Sequence, residues 1–223
     1  MGHWIRLKAS DGFELSAWRA EPASAPRGGV VVVQEIFGVT AHIRAVADGY
    51  AADGYLAIAP AIFDRGERDA ELPYGPEGLA RGRALLEKIP REATLADLGA
   101  AVATAKSAGK VGIVGYCLGG TLAWVAAARL DGLSAAVSYY GGGVAGLVEL
   151  KPRVPTMLHF GEKDEHIPLA DARKVAAAHP EAAVFLYPAA GHAFNRDGGP
   201  SYDAPSAALA KARTLAFFAQ RLG

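Results

Sequence analysis

One cysteine, Cys117, stands in a chain of 223 residues. No internal disulfide can form, and an unpaired thiol belongs in a reducing compartment. Charge of one sign is equally lacking. Lys plus Arg and Asp plus Glu number 23 each, which leaves no net field to draw in nucleic acid or an anionic membrane surface. Basic runs and aromatic-basic interleaving are absent as well. No stretch reaches the ~18 consecutive apolar residues of a membrane span, and Met1 to Asp11 has no apolar segment of signal-peptide length. The expectation is a cytoplasmic chain, monomeric by default, with neither nucleic acid nor membrane as a partner. Internal repeats, low-complexity blocks and linkers are missing too. With 51% hydrophobic residues, the chain is long enough for one sizeable core and short for two, so residues 1–223 are expected to form one domain.

What is present is an alternation of strands and helices. Trp4 to Lys8 and Phe13 to Arg19 alternate apolar and polar residues around Ser10-Asp11-Gly12, the pattern of an antiparallel hairpin at a sheet edge. The β-branched run Gly29 to Gln34 suits a strand covered on both faces. Further short strands are expected at Tyr55–Ala59, Val111–Val114, Ser134–Tyr139, Thr156–Phe160 and Ala183–Tyr187. Helices are expected at Thr40–Asp53, Glu77–Ile89, Ala93–Ser107, Leu118–Leu130, Leu169–Ala178 and from about Pro205 onward. In the last, Ala208, Ala212, Leu215, Ala219 and Leu222 form a stripe expected to face the sheet. Ala61 to Pro76, irregular and rich in charge, Gly and Pro, is long enough to be functional. Such alternation implies right-handed crossovers, a mainly parallel sheet and ligands at the C-terminal strand ends.

Gly115-Tyr116-Cys117-Leu118-Gly119-Gly120 joins a short buried strand to an Ala-rich helix, which puts Cys117 on a strand-to-helix turn. Such a turn projects its side chain from the sheet edge and needs small neighbours, here Gly115 and Gly119. Two other readings compete. A lone cysteine is commonly a small buried hydrophobe. Gly112, Gly115 and Gly119 also resemble a loose dinucleotide-binding turn, but that requires an acidic residue roughly 20 residues on, at the end of the next strand, where Tyr140 and Gly141 stand.

A thiol nucleophile needs a base, and the base needs a third group to fix its tautomer and stabilise the imidazolium. Cys117, Asp164 and His192 follow successive strands in the order nucleophile, acid, histidine. Among the other histidines, His159 lies within a strand and reads as a core residue, His3 and His42 as surface residues, and His179 as a helix end. His166 shares a loop with Asp164, which would put acid and base on the same side of the nucleophile. The cluster Glu162 to His166 lacks a second ligand group at metal spacing, so a solvated loop is expected.

With these residues in place the chain resembles a dienelactone hydrolase. The resemblance runs from Gln34-Glu35-Ile36-Phe37-Gly38 through the Cys117 turn and Gly161-x-x-Asp164-x-x-Ile167-Pro168 to Ala190-Gly191-His192-Ala193-Phe194-x-Arg196. It implies an α/β-hydrolase fold, with a mainly parallel central sheet, an N-terminal antiparallel hairpin and helices on both faces. It also implies Cys117 as nucleophile, His192 as base, Asp164 as its orienting carboxylate, and the amides of Ile36 and Leu118 as the oxyanion hole. Glu35 is implied to help activate the thiol, the alternative being a structural ion pair with an arginine such as Arg44. Arg65 and Arg196 match positions that hold a substrate carboxylate in similar enzymes, the alternative being two solvated charges. The chain departs from the family at Ala61 and Phe63, where an acid and a tyrosine are frequent, and at Ala193, where serine occurs. The implied activity is hydrolysis of a small-molecule lactone or activated ester, anionic where the arginines bind it, through an acyl-thioenzyme without cofactor or metal. A cysteine peptidase is the nearest enzymatic alternative; thiolate leaves a tetrahedral intermediate too readily for amides to be good substrates. A binding protein that keeps the fold without turnover is the alternative from another class, and a hydrolase of another neutral or thioester substrate is the alternative within this one.

Overall fold

The computed structural model describes residues 1–223. Strand β1 (His3–Lys8) pairs antiparallel with β2 (Glu14–Ala20), and β2 pairs antiparallel with β4 (Leu56–Pro60). The remaining strands are β3 (Gly29–Val33), β5 (Val111–Tyr116), β6 (Leu133–Tyr139), β7 (Thr156–Gly161) and β8 (Ala183–Tyr187). These five run parallel to one another and to β4, in the order β1-β2-β4-β3-β5-β6-β7-β8. This is the α/β-hydrolase architecture that the resemblance implies.

The Val-rich strand shows why the sheet is interior. All five residues of β3 are buried, and alternate valines face opposite layers because the side-chain period of a strand is two. Val30 and Val32 join Ile43, Tyr50 and Phe218 beneath α1 (Ala41–Ala52) and α6 (Ala204–Leu222). Val31 and Val33 join Leu98, Val102 and Ala123 beneath α3 (Arg91–Ala105) and α4 (Leu118–Arg129). Each such valine contributes about 1.5–3 kcal/mol by leaving water. Helix α2 (Pro76–Glu87) buries Leu85 in the second layer, and α5 (Leu169–Ala178) buries Ala172 and Val175 in the first. No helix is long and apolar enough to cross a membrane.

The α6 stripe differs from expectation. Ala208 and Ala212 are exposed, and the face against the sheet is Ser206, Ala210, Thr214, Phe218 and Leu222. Thr214 can be interior because its hydroxyl bonds Tyr139 Oη at 2.8 Å and His159 Nε2 at 3.1 Å. A satisfied hydroxyl is not excluded from a core, and a count of apolar residues passes over it. His159 is fully buried with both ring nitrogens bonded, whereas His42 is not on the surface: it lies half-buried on α1.

Order along the sheet also positions a crevice. From β3 the chain steps to β4 on one side, then returns to place β5 on the other. The segments leaving β3 and β5 therefore diverge, and ligands bind at such a switch point.

Candidate active site

Cys117 sits immediately after β5 and caps α4, with φ 56° and ψ −114°. A non-glycine residue in this region costs about 1–3 kcal/mol and persists only where its surroundings impose it. They do so here through close backbone contact. A Cβ at Gly115 would lie 1.8 Å from the Gly119 carbonyl oxygen, and one at Gly119 would lie 2.3 Å from that of Val33. The Cys117 amide donates to Tyr139 O at 3.0 Å, and its carbonyl accepts from Gly120 N at 3.0 Å.

Asp164 and His192 come from loops after β7 and β8, tied together where Lys163 N donates to Ala190 O at 2.9 Å. Asp164 Oδ1 accepts from the amides of His166 and Ile167 at 2.8 and 3.1 Å, which leaves Oδ2 aimed at His192 Nδ1, 2.8 Å away. Burial opposes a charge on His192, but the hydrogen bond its Nδ1 donates to Asp164 and the adjacent Cys117 outweigh it and push the imidazole up to about 10. His166 packs edge-on against His192 at 5.1 Å, with its own side chain exposed. Tyr140 was not singled out from the sequence. Its ring lies 5.0 Å from that of His192, its φ is 38°, and its hydroxyl donates to Asn195 Oδ1. The one signal for it was its place at the end of β6, a strand neighbouring the Cys117 strand.

Glu35, just past β3, is 1% exposed. The turn after it depends on Gly38, at φ 92°, where a Cβ would meet Ala70 O at 2.1 Å. Glu35 Oε2 has no hydrogen-bond partner. Arg196 Nη1 approaches it only to 3.8 Å, and burial pushes the Glu35 carboxyl up against the pull of Arg196 and His192. Arg44 is not its partner: its guanidinium bonds Glu71 at 2.7 Å and Val39 O at 2.7 Å. Tyr74, also unforeseen, places its ring 4.1 Å from the Arg196 guanidinium and its hydroxyl 3.0 Å from Thr40 Oγ1. Ile36 is buried beside Glu35, and Leu118 is the first residue of α4, where a helix leaves its amides without intrahelical acceptors.

Arg65 is not brought to this group. Its Nε and Nη2 donate to Asp97 at 2.8 Å each, Nη1 lies 2.7 Å from Asp11, and the guanidinium stacks on Phe13 at 4.4 Å. Burial pushes the Asp97 carboxyl up against the pull of the Arg65 guanidinium, whose own protonated form is favoured by its bonds to Asp97 and Asp11. Nothing local in the sequence foretells this pair, because Asp97 lies on α3, 32 residues away. No group of three or more His, Cys, Asp or Glu side chains is placed to hold a metal ion.

The sequence model of the dienelactone hydrolase family matches residues 15–222. A carboxymethylenebutenolidase of Pseudomonas putida is 36% identical over 225 residues, which are 96% of this chain and 95% of that protein. A solved structure from Klebsiella pneumoniae, provisionally named a dienelactone hydrolase, is 33% identical with a TM-score of 0.87 and 99% of each chain covered. An esterase of Pyrococcus furiosus, 15% identical over 100% of this chain and 93% of its own, shares the fold with a TM-score of 0.72.

Proposed function

The chain belongs to the dienelactone hydrolase family, and from that premise we propose that it hydrolyses a lactone or activated carboxylic ester through a Cys117 acyl-enzyme. The observation that carries this reading is the sequence of contacts Ile167 N and His166 N to Asp164, and Asp164 to His192 beside Cys117. A carboxylate pinned by two amides fixes the tautomer and the orientation of the imidazole, and so prepares it for proton transfer.

Sγ of Cys117, as thiolate, attacks the carbonyl carbon, while the imidazolium of His192, protonated up to about pH 10, balances its charge. The oxygen that becomes negative is met by the amides of Ile36 and Leu118 on the two walls of the crevice. Collapse breaks the carbon–oxygen bond of the ester, and His192 gives its proton to the departing alkoxide or enolate. The neutral imidazole then takes a proton from water, hydroxide adds to the thioester, and collapse returns the thiolate. Good leaving groups are favoured because thiolate otherwise leaves first.

Glu35 supplies a carboxylate whose pKa is raised by burial and whose Oε2 is unpartnered. That makes it a second proton acceptor for the thiol, released when a substrate carboxylate draws Arg196 away. Arg196, 14% exposed at its side chain and loosely held, has donors for a planar carboxylate. A panel of lactones and aryl esters tests the reading: a stoichiometric burst followed by turnover supports it, and binding of every substrate without hydrolysis contradicts it.

A further inference from the structure

A cavity of about 330 Å³ lies between α1 and α6, roofed by the loop that carries Asn195, Asp197 and Tyr202. Neither Cys117 nor His192 lines it. Its size suits a small organic molecule rather than a few waters. The floor is aromatic, from Tyr50, Tyr116 and Tyr139, and the walls on α6 are alanines such as Ala207. His42 supplies the polar group: its Nε2 is buried without any hydrogen-bond partner, and its ring meets that of Tyr116 edge-on at 6.5 Å. An unsatisfied buried nitrogen costs free energy that a ligand can recover. Burial, aided by the Arg196 charge, lowers His42 to about 4, so the ring is neutral at physiological pH.

We infer that this cavity is a second small-molecule site, separate from the Cys117 crevice, which takes a neutral ring bearing one hydroxyl, bonded to His42 Nε2. A hydroxyl fits because it both donates and accepts, and so satisfies either tautomer of a neutral imidazole. An aromatic ring fits the tyrosine floor. Asp197 at the cavity disfavours a carboxylate ligand, and the charge of Lys211 is already engaged by Asp53 at 2.9 Å. Nothing in the site depends on the Cys117 chemistry. It does abut it, since Asn195 lines the cavity and accepts from Tyr140, whose ring packs on His192.

Phenol is the probe. Titrated into Cys117→Ala protein and followed by the Tyr50 and Tyr116 ring resonances in NMR, which every variant retains, it should bind with a dissociation constant on the order of 1 mM, as befits a ligand of so few atoms. Ala207→Phe, which fills the space, and His42→Leu, which removes the acceptor, should each weaken binding by roughly tenfold or more, a single hydrogen bond or a lost pocket. Toluene, lacking the hydroxyl, should bind the parent and His42→Leu alike. Ala207→Phe carries the test if His42→Leu does not fold. Unchanged affinity in Ala207→Phe, no saturation by about 20 mM, well above the expected constant, or loss of phenol binding when Cys117 of the wild type is alkylated would each overturn the assignment. Whether the enzyme turns over lactones affects none of these readings.

Discussion

Arg65 and Arg196 follow different strands at the same edge of the sheet, and they differ in how fully their donors are used. Every nitrogen of Arg65 contacts Asp97 or Asp11, with two bonds of 2.8 Å to a carboxylate of zero exposure. Arg196 has one ionic neighbour, Glu35, at 3.8 Å, and that carboxylate keeps an unpartnered oxygen. The first arrangement is closed, and a substrate carboxylate would have to displace a buried partner to enter it. The second leaves donors and an acceptor uncommitted. Side-chain type therefore says less about function than the balance of donors to acceptors around it.

The sharpest break in that comparison comes from the open side. Cys117→Ala should reduce turnover by on the order of 10⁴-fold or more while thermal unfolding stays close to wild type; activity within tenfold would remove the thiol from the mechanism. Glu35→Gln comes next, with kcat/KM expected to fall by on the order of 10²-fold. Its folded pKa is raised, so above the unfolded carboxyl range the buried charge penalises the native state, and the neutral amide should leave the melting temperature at pH 7 unchanged or higher. A clear drop in melting temperature with activity retained would move Glu35 to the closed class.

Exchanging the two arginines sharpens the contrast. Arg196→Ala should raise KM for an anionic lactone by roughly 10- to 100-fold and leave a neutral ester little changed. Arg65→Ala should do neither, yet destabilise the fold by about 3–5 kcal/mol because Asp97 is left buried without its partner. Steady-state kinetics beside denaturant unfolding of both variants would expose a reversal. The last test is a pH dependence. The folded pKa of His192, about 10, lies above the unfolded value of about 6.5. Its contribution to stability is thus fully present below pH 6.5 and is lost as pH rises through about 10. Melting temperature should decline across that window more in the wild type than in His192→Ala; equal slopes would mean that the imidazolium is not held by Asp164 and Cys117.

The same accounting of partners explains what could be read from the sequence. The strands were legible within about two residues because β-branched runs such as Val30 to Val33 are buried on both faces. The grouping of Asp164 with His192 was legible because each follows a strand, and strand ends of a parallel sheet converge. What escaped depended on distant partners. Asp97 closes Arg65 from another helix, Thr214 reaches Tyr139 and His159 across the sheet, and Tyr74 meets Arg196 from the loop before α2. No local period encodes those pairings. His42 was misread for a related reason: its position on α1 is ordinary, and α6 and the 195–203 loop, which line the same cavity, leave it half-buried.

The acyl-thioenzyme is tested most directly by intact-protein mass spectrometry of a reaction quenched in acid during the burst with an activated aryl ester. The expected result is one acyl group per chain, mapped to Cys117 by peptide fragmentation, accumulating in the burst and disappearing as substrate is exhausted. Hydrolysis that proceeds at full rate with no acyl mass on the chain, or with the acyl group on another residue, would contradict the account.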